Sequence, residues 1–186
     1  MKSYILALLA MLLINTKSFG DEIIFGVTAD YPPYEYKQDE EVKGLFIDII
    51  RECFKRMGYR LRVEVFPWSR IIRMGKEGEI DIFVAFKTKE RETYLDFSRE
   101  SVMDQTISFF AHKNADLVYS GDLSEFQDLR IGVVKDLSYG TKFDEAVVQN
   151  ILKNIEVHKE GDYSLKKLHS RRLDLIISNR YGARYL

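Results

Sequence analysis

The stretch from Ile80 to Arg91 constrains this chain most. Ile82, Phe83, Val84 and Phe86 are β-formers without polar alternation, so the run reads as a strand covered on both faces, as in the parallel sheets of α/β proteins. It stops abruptly at Lys87-Thr88-Lys89-Glu90-Arg91. Ligands of open α/β sheets sit beyond the carboxyl ends of the strands, which places Phe86, Thr88 and Arg91 where a ligand is held. A guanidinium there offers a rigid fork of N–H donors for two-point recognition of a carboxylate. The other reading of Arg91 is that it solvates a helix start or pairs with Glu90 or Asp96. On either reading its side chain is expected outside the core.

The first residues need separate treatment. Lys2 precedes an apolar run from Tyr4 to Ile14, and Ser18 and Gly20 have the small-residue spacing of a cleavage site, so residues 1–20 read as a secretory signal peptide cut near Gly20. The apolar run is short of the roughly 20 residues of a comfortable membrane span. Without residues 1–20 the chain carries 26 basic against 29 acidic side chains, a formal charge of −3, which gives no nucleic-acid footprint. The only cysteine, Cys53, falls on the apolar face of an expected helix and reads as a small buried hydrophobe. His112, His158 and His169 are scattered singly, without the spacing of a zinc site, and the reading calls for no cofactor.

The remaining chain alternates strand and helix. Ile23 to Val27 is an apolar strand, closed by Thr28-Ala29-Asp30-Tyr31-Pro32-Pro33-Tyr34-Glu35-Tyr36, a proline-pinned loop whose tyrosines either line a pocket or pack on the prolines. Gly44 introduces a helix with Phe46, Ile49, Ile50, Cys53, Phe54 and Met57 at helical spacing, ended by Gly58. Leu61 to Phe66 alternates as a strand, and Pro67 starts a helix with Trp68, Ile71, Ile72 and Gly75 on one side, ended between Gly75 and Gly78. Gln105 to Lys113 is a further strand.

The pattern then restarts. Ser124 and Gln127 have capping-box spacing, and Leu129 to Val134 is a strand. Lys135 to Gly140 opens a helix at Ser138 that buries Tyr139, Phe143, Val147 and Ile151. Val157 lies in a short strand, Ser164 caps a helix, and Leu173 to Ile177 is a strand ending at Ser178-Asn179. Strand-helix alternation of this kind implies largely parallel sheets with right-handed crossovers. The expected architecture is two α/β lobes facing across a cleft, residues 21–110 and 111–186, with the crossing near Gln105 to Lys113. Tyr31 and Thr88 to Arg91 face the cleft from one side. Ser138, Tyr139 and Asn179 face it from the other, with a helix N-terminus at Ser138 suited to an anionic group.

Four stretches in this order resemble family 3 periplasmic solute-binding proteins, the receptors of polar amino-acid ABC transporters. They are Thr28 to Glu35, Gly44 to Ile49, Glu77 to Arg91 with Phe97-Ser98, and Leu129 to Val133 with Arg172-Leu173-Asp174. The resemblance implies a two-lobed periplasmic-binding-protein-like fold that captures a small polar or carboxylate-bearing solute for a membrane permease. It implies that Arg91 clamps the ligand carboxylate, that Tyr31 and Trp68 wall the pocket, and that Ser138-Tyr139 contact ligand at the second-lobe helix start. Two positions depart from the family pattern: Phe86 stands where a small hydroxyl residue is usual, and Asn179 where an acid usually grips an α-ammonium. An amide brings no charge to offset a buried cation, so ligands lacking the amine are expected to bind at least as well. Members also continue past the position of Leu186 with elements that complete the first lobe, and without them the first lobe is expected to expose apolar surface. The alternatives to a receptor are a lyase on the same bilobal fold, with Asp30 or a solvated Glu35 as its acid or base candidates, and a ligand-sensing domain.

Overall fold

A computed structural model describes residues 22–159 and 161–185; the expected signal peptide lies outside the described residues. Among the described residues the strands form three sheets, of which the two that contain parallel pairs organise the chain. In the first, β1 (Ile23–Val27) pairs in parallel with β5 (Leu61–Val65). A meander of β2 (Asp30–Tyr31), β3 (Glu35–Gln38) and β4 (Glu41–Lys43) leads from β1 into α1 (Leu45–Met57), and α2 (Trp68–Glu77) follows β5. The second sheet has the order β6-β9-β7-β8, with β6 (Ile107–Ala111) antiparallel to β9 (Leu175–Asn179). Strands β7 (Arg130–Val134) and β8 (Asn154–His158) run parallel, as do β7 and β9, and α3 (Thr141–Val148) and α4 (Gly161–His169) supply the helices.

Alternation along the strands explains why each sheet takes helices on both faces. Phe25 and Val27 of β1 are fully buried against Ile47 of α1. Ile24 points the other way, into a cluster with Ile71 and Met74 of α2. In the second sheet Leu175 and Ile177 face Phe143 and Ala146 of α3, while Ile176 between them meets Leu168 of α4. Each such aliphatic or aromatic side chain contributes about 1.5–3 kcal/mol over leaving it exposed.

The run from Ile80 pairs with β1 only through a bridge at Ile82, and Ile82 to Phe86 are half-buried rather than covered on both faces as expected. Gly26 N–H reaches the Ile82 carbonyl at 2.9 Å. The next donor of β1, the Thr28 N–H, is taken by the Glu35 carboxylate at 3.2 Å, so the ladder ends there. Instead of a loop, Thr28 to Tyr36 forms the β2–β3 turn, because the prolines occupy the turn and leave the ladder to its flanks.

Several helix details also differ from expectation. Cys53 is exposed, and Met57 is 57 % exposed, because α1 turns Phe46, Ile47 and Ile50 inward. Gly75 lies inside α2 rather than at its end, and the Phe83 ring lies where its Cβ would be, 2.4 Å away; Gly78, with φ 71°, ends the helix. Asp122, not Ser124, caps the short 3₁₀ turn at Leu123–Phe126. The helix expected from Ser138 begins at Thr141, and Leu152 is buried where Ile151 was expected. Ser164 sits within α4 rather than at its start. Exposed apolar side chains occur on the first sheet's side, at Met57, Tyr59 and Val65, and equally on the second's, at Val118, Val148 and Val157. Strand β6, across which the expected lobe division falls, is paired along its length with β9.

Candidate functional site

The ends of β1, β5 and the Ile80 segment face the ends of β7, β8 and β9 across a cleft of about 840 Å³, within the range of small-molecule sites. Tyr31, Trp68 and Phe86 wall it from the first sheet's side and Tyr139 from the second's. The Tyr31 hydroxyl donates to Gln105 Oε1 at 3.0 Å, and Gln105 Nε2 is buried without a partner.

Arg91, Thr88, Ser138 and Asn179 stand behind these walls rather than on them. Arg91 is buried, against expectation. Its guanidinium donates to the Phe86 carbonyl at 2.8 Å and across the cleft to the Asp136 carbonyl at 2.9 Å. The same Asp136 oxygen accepts from Trp68 Nε1 at 2.8 Å, and the Arg91 cation lies 5.4 Å from the Trp68 ring centre. Burial lowers the Arg91 pKa, and no carboxylate hydrogen-bonds the guanidinium among the described residues. Thr88 Oγ1 accepts the Arg91 N–H at 3.2 Å, ahead of the 3₁₀ turn at Arg91–Thr93.

At the second-sheet end, Ser138 and the Tyr139 N–H both bond the Asp144 carboxylate of α3, the latter at 3.0 Å. The anion site expected at Ser138 is thus filled from within the chain, because the helix starts later and its own acid folds back. The Tyr139 hydroxyl accepts the Val134 N–H at 2.7 Å, and burial raises its pKa. Asn179 is 2 % exposed, and its Oδ1 accepts from Tyr34, Tyr181 N and Gly182 N.

Glu35, expected to be solvated, is also placed differently by the structure. It is 4 % exposed and lines the cleft. One carboxylate oxygen accepts from the Thr28 N–H and from Thr28 Oγ1 at 2.9 Å; the other, Oε2, is buried and without a partner. Burial pushes its carboxyl up to about 7, the Thr28 hydrogen bonds oppose this, and the charge of Asp30 adds to it. Tyr34 and Glu35 are adjacent and both buried, so no strand alternation marks the glutamate.

Two α/β units with helices on both faces and a walled cleft between their strand ends define a periplasmic-binding-protein fold. The chain belongs to the bacterial extracellular solute-binding proteins, family 3, whose model matches residues 23–183. It is 28 % identical over 86 residues to the arginine-binding extracellular protein ArtP of Bacillus subtilis, covering 45 % of this chain and 34 % of that one. It is 24 % identical over 163 residues to a probable histidine-binding protein of Campylobacter jejuni, covering 86 % and 60 %. The chain therefore spans about a third and three-fifths of the lengths of these two relatives. An ancestral arginine-binding protein bound to arginine superposes with a TM-score of 0.76 at 20 % identity, over 90 % of this chain and 74 % of that structure.

Proposed function

We propose that this protein is a secreted receptor that captures an amino acid with a cationic side chain and hands it to an ABC-type membrane permease. The observation that carries the ligand class is Glu35, a buried carboxylate on the cleft wall with one oxygen unpartnered. A buried charge of that kind is costly unless paired, and a guanidinium, ammonium or imidazolium supplies both the charge and the donor. Asp30 adds negative character to the same wall. Negative charge that Asn179 lacks is thus supplied from the first half, which favours amine-bearing ligands over their des-amino analogues. Tyr31, Trp68, Phe86 and Tyr139 enclose the apolar part of the solute, and Arg91 with Trp68 acts as a latch on the Asp136 carbonyl when the halves close. The names of the two curated relatives support a basic ligand.

Calorimetry of the protein with L-arginine, L-lysine and L-histidine against L-norleucine and L-glutamine tests this. Basic amino acids should bind at least about tenfold more tightly than the neutral pair, a difference of about 1.4 kcal/mol, and should be recovered unchanged. Preference for the neutral amino acids would remove the cationic class, and product formation would favour a lyase with Glu35 as its acid.

A further inference from the structure

Beside Tyr31 the cleft lining holds two buried side-chain atoms without hydrogen-bond partners, and they are of opposite kind: Glu35 Oε2, an acceptor when ionised, and Gln105 Nε2, a donor. Tyr31 brings them together. It stands directly opposite Glu35 in the β2–β3 pair, which puts both side chains on one face, and its hydroxyl donates to Gln105 Oε1 at 3.0 Å. Burial, reinforced by the neighbouring Tyr34, Glu35 and Tyr139, raises the Tyr31 pKa, so the hydroxyl keeps the proton it donates. With Oε1 engaged in this way, the free end of the Gln105 carboxamide is its donor. The backbone beside it is fixed, since the Thr106 carbonyl accepts the Arg180 N–H at 2.8 Å just ahead of β6.

A cationic side chain answers only one of these two atoms. Guanidinium and ammonium groups carry donors and no acceptor, so either can pair with Glu35 but leaves Gln105 Nε2 buried and unpaired, which is the costly case for a donor. A ureido group answers both, with N–H donors for Glu35 and a carbonyl oxygen for Gln105. It has the planar shape of a guanidinium with oxygen in place of one nitrogen. L-Citrulline carries it on a side chain as long as that of L-arginine, unlike the shorter carboxamide of L-glutamine.

Resting on the reading that the side-chain end of an amino acid meets Glu35, we propose that Gln105 Nε2 donates to a carbonyl oxygen on that same end, so that the cleft takes neutral ureido side chains as well as cationic ones. Gln105 then sets the balance between the two classes, through a hydrogen bond that no guanidinium or ammonium can accept. Tyr31 holds the carboxamide in the orientation that makes this bond.

Calorimetry at pH 7 with L-citrulline, L-arginine and L-norleucine reads this, and the α-amino and carboxylate groups common to all three drop out of the affinity ratios. Wild type should bind L-citrulline at least about tenfold more tightly than L-norleucine. Gln105→Glu keeps an acceptor for Tyr31 but replaces the donor with a second acceptor, and should lower the L-citrulline to L-arginine affinity ratio by at least about tenfold. Gln105→Leu, which removes both groups, should lower it in the same direction. A general loss of packing weakens both ligands alike, so an unchanged ratio in the variants overturns the proposal, as does L-citrulline binding no better than L-norleucine to wild type. Tight binding of L-citrulline with no preference for L-arginine over L-norleucine would remove the cationic class and leave the role of Gln105 standing; a preference for L-arginine with none for L-citrulline would do the reverse.

Discussion

The Tyr34 hydroxyl donates to Asn179 Oδ1 at 2.8 Å, joining the β2–β3 turn of the first sheet to the last residue of β9 in the second. That oxygen also accepts the N–H groups of Tyr181, at 2.9 Å, and Gly182, at 3.0 Å. Through this oxygen Asn179 works as a buried cap and an inter-sheet tie; the residue is not among those lining the cleft, and its Nδ2 is buried without a partner. Tyr34→Phe should cost about 1 kcal/mol of stability, the net value of one hydrogen bond, whereas Asn179→Ala strands three donors and should cost at least about 2 kcal/mol. Urea denaturation of both variants measures this. Asn179→Asp should leave the preference between an amino acid and its des-amino analogue unchanged, since no side-chain atom of residue 179 lines the site.

Arg91 and Trp68 share the Asp136 carbonyl, so both report the approach of the two halves. Arg91→Ala removes two charge-assisted hydrogen bonds and the contact with the indole, and should lower the stability of the ligand-free protein by about 2–4 kcal/mol. Trp68 is the chain's sole tryptophan, so its emission isolates this contact. The emission should shift to the red at low denaturant in Arg91→Ala, ahead of the loss of circular dichroism. Coincident transitions in wild type and variant would show that the latch is not a separate unit.

Much of the fold was legible because periodicity decides it. The helices at Leu45–Met57 and Trp68–Glu77 and the strands around Phe25, Val63, Val133 and Ile176 fall where apolar spacing places them. The run at Ile80 reads from its sequence as a paired strand covered on both faces, yet Ile82 to Phe86 are only half-buried and the pairing stops at one bridge, beside the Glu35 carboxylate whose reach to Thr28 no local pattern encodes. Of the cleft-lining residues, Tyr31, Phe86 and Tyr139 lie where the sequence places them, beyond strand ends, and Trp68 where the family resemblance places it. Glu35 entered that reading only as a solvated acid-or-base candidate, and Gln105 only as the start of a strand. That Glu35 Oε2 and Gln105 Nε2 are buried without partners is a property of the packed molecule.

Asp174 carries a two-point ion pair with Arg130, at 2.7 and 2.9 Å, and accepts the Arg130 N–H at 2.8 Å, tying the turn before β9 to the start of β7. These hydrogen bonds hold its carboxyl below the usual range. A depressed carboxylate stabilises the fold above its unfolded pKa, and that stability is lost as pH falls through the folded one. Asp174→Asn should lower Tm at pH 7 and flatten the decline of Tm below about pH 4. A variant with the wild-type acid limb would assign that limb to other carboxylates.

Glu35 gives the opposite pH dependence, and a ligand should reverse it. Its carboxyl is raised by burial to about 7 in the folded, ligand-free protein. Between the ordinary carboxylate pKa and 7 the folded state holds a proton that the unfolded state has released, so stability falls as pH rises through this window. A shift of that size corresponds to about 3 kcal/mol, fully expressed once pH passes 7. Glu35→Gln, neutral at every pH, should remove that slope and be more stable than wild type at pH 8. A bound guanidinium favours the ionised carboxylate, so L-arginine should bind more tightly as pH rises from 5 to 8 and should release a proton on binding near pH 6. Calorimetry in two buffers of different ionisation enthalpy counts that proton. An affinity independent of pH over this range, with no proton released, would mean that Glu35 is already ionised in the free protein or does not meet the cation, and a Glu35→Gln variant that still prefers arginine over norleucine would establish the second.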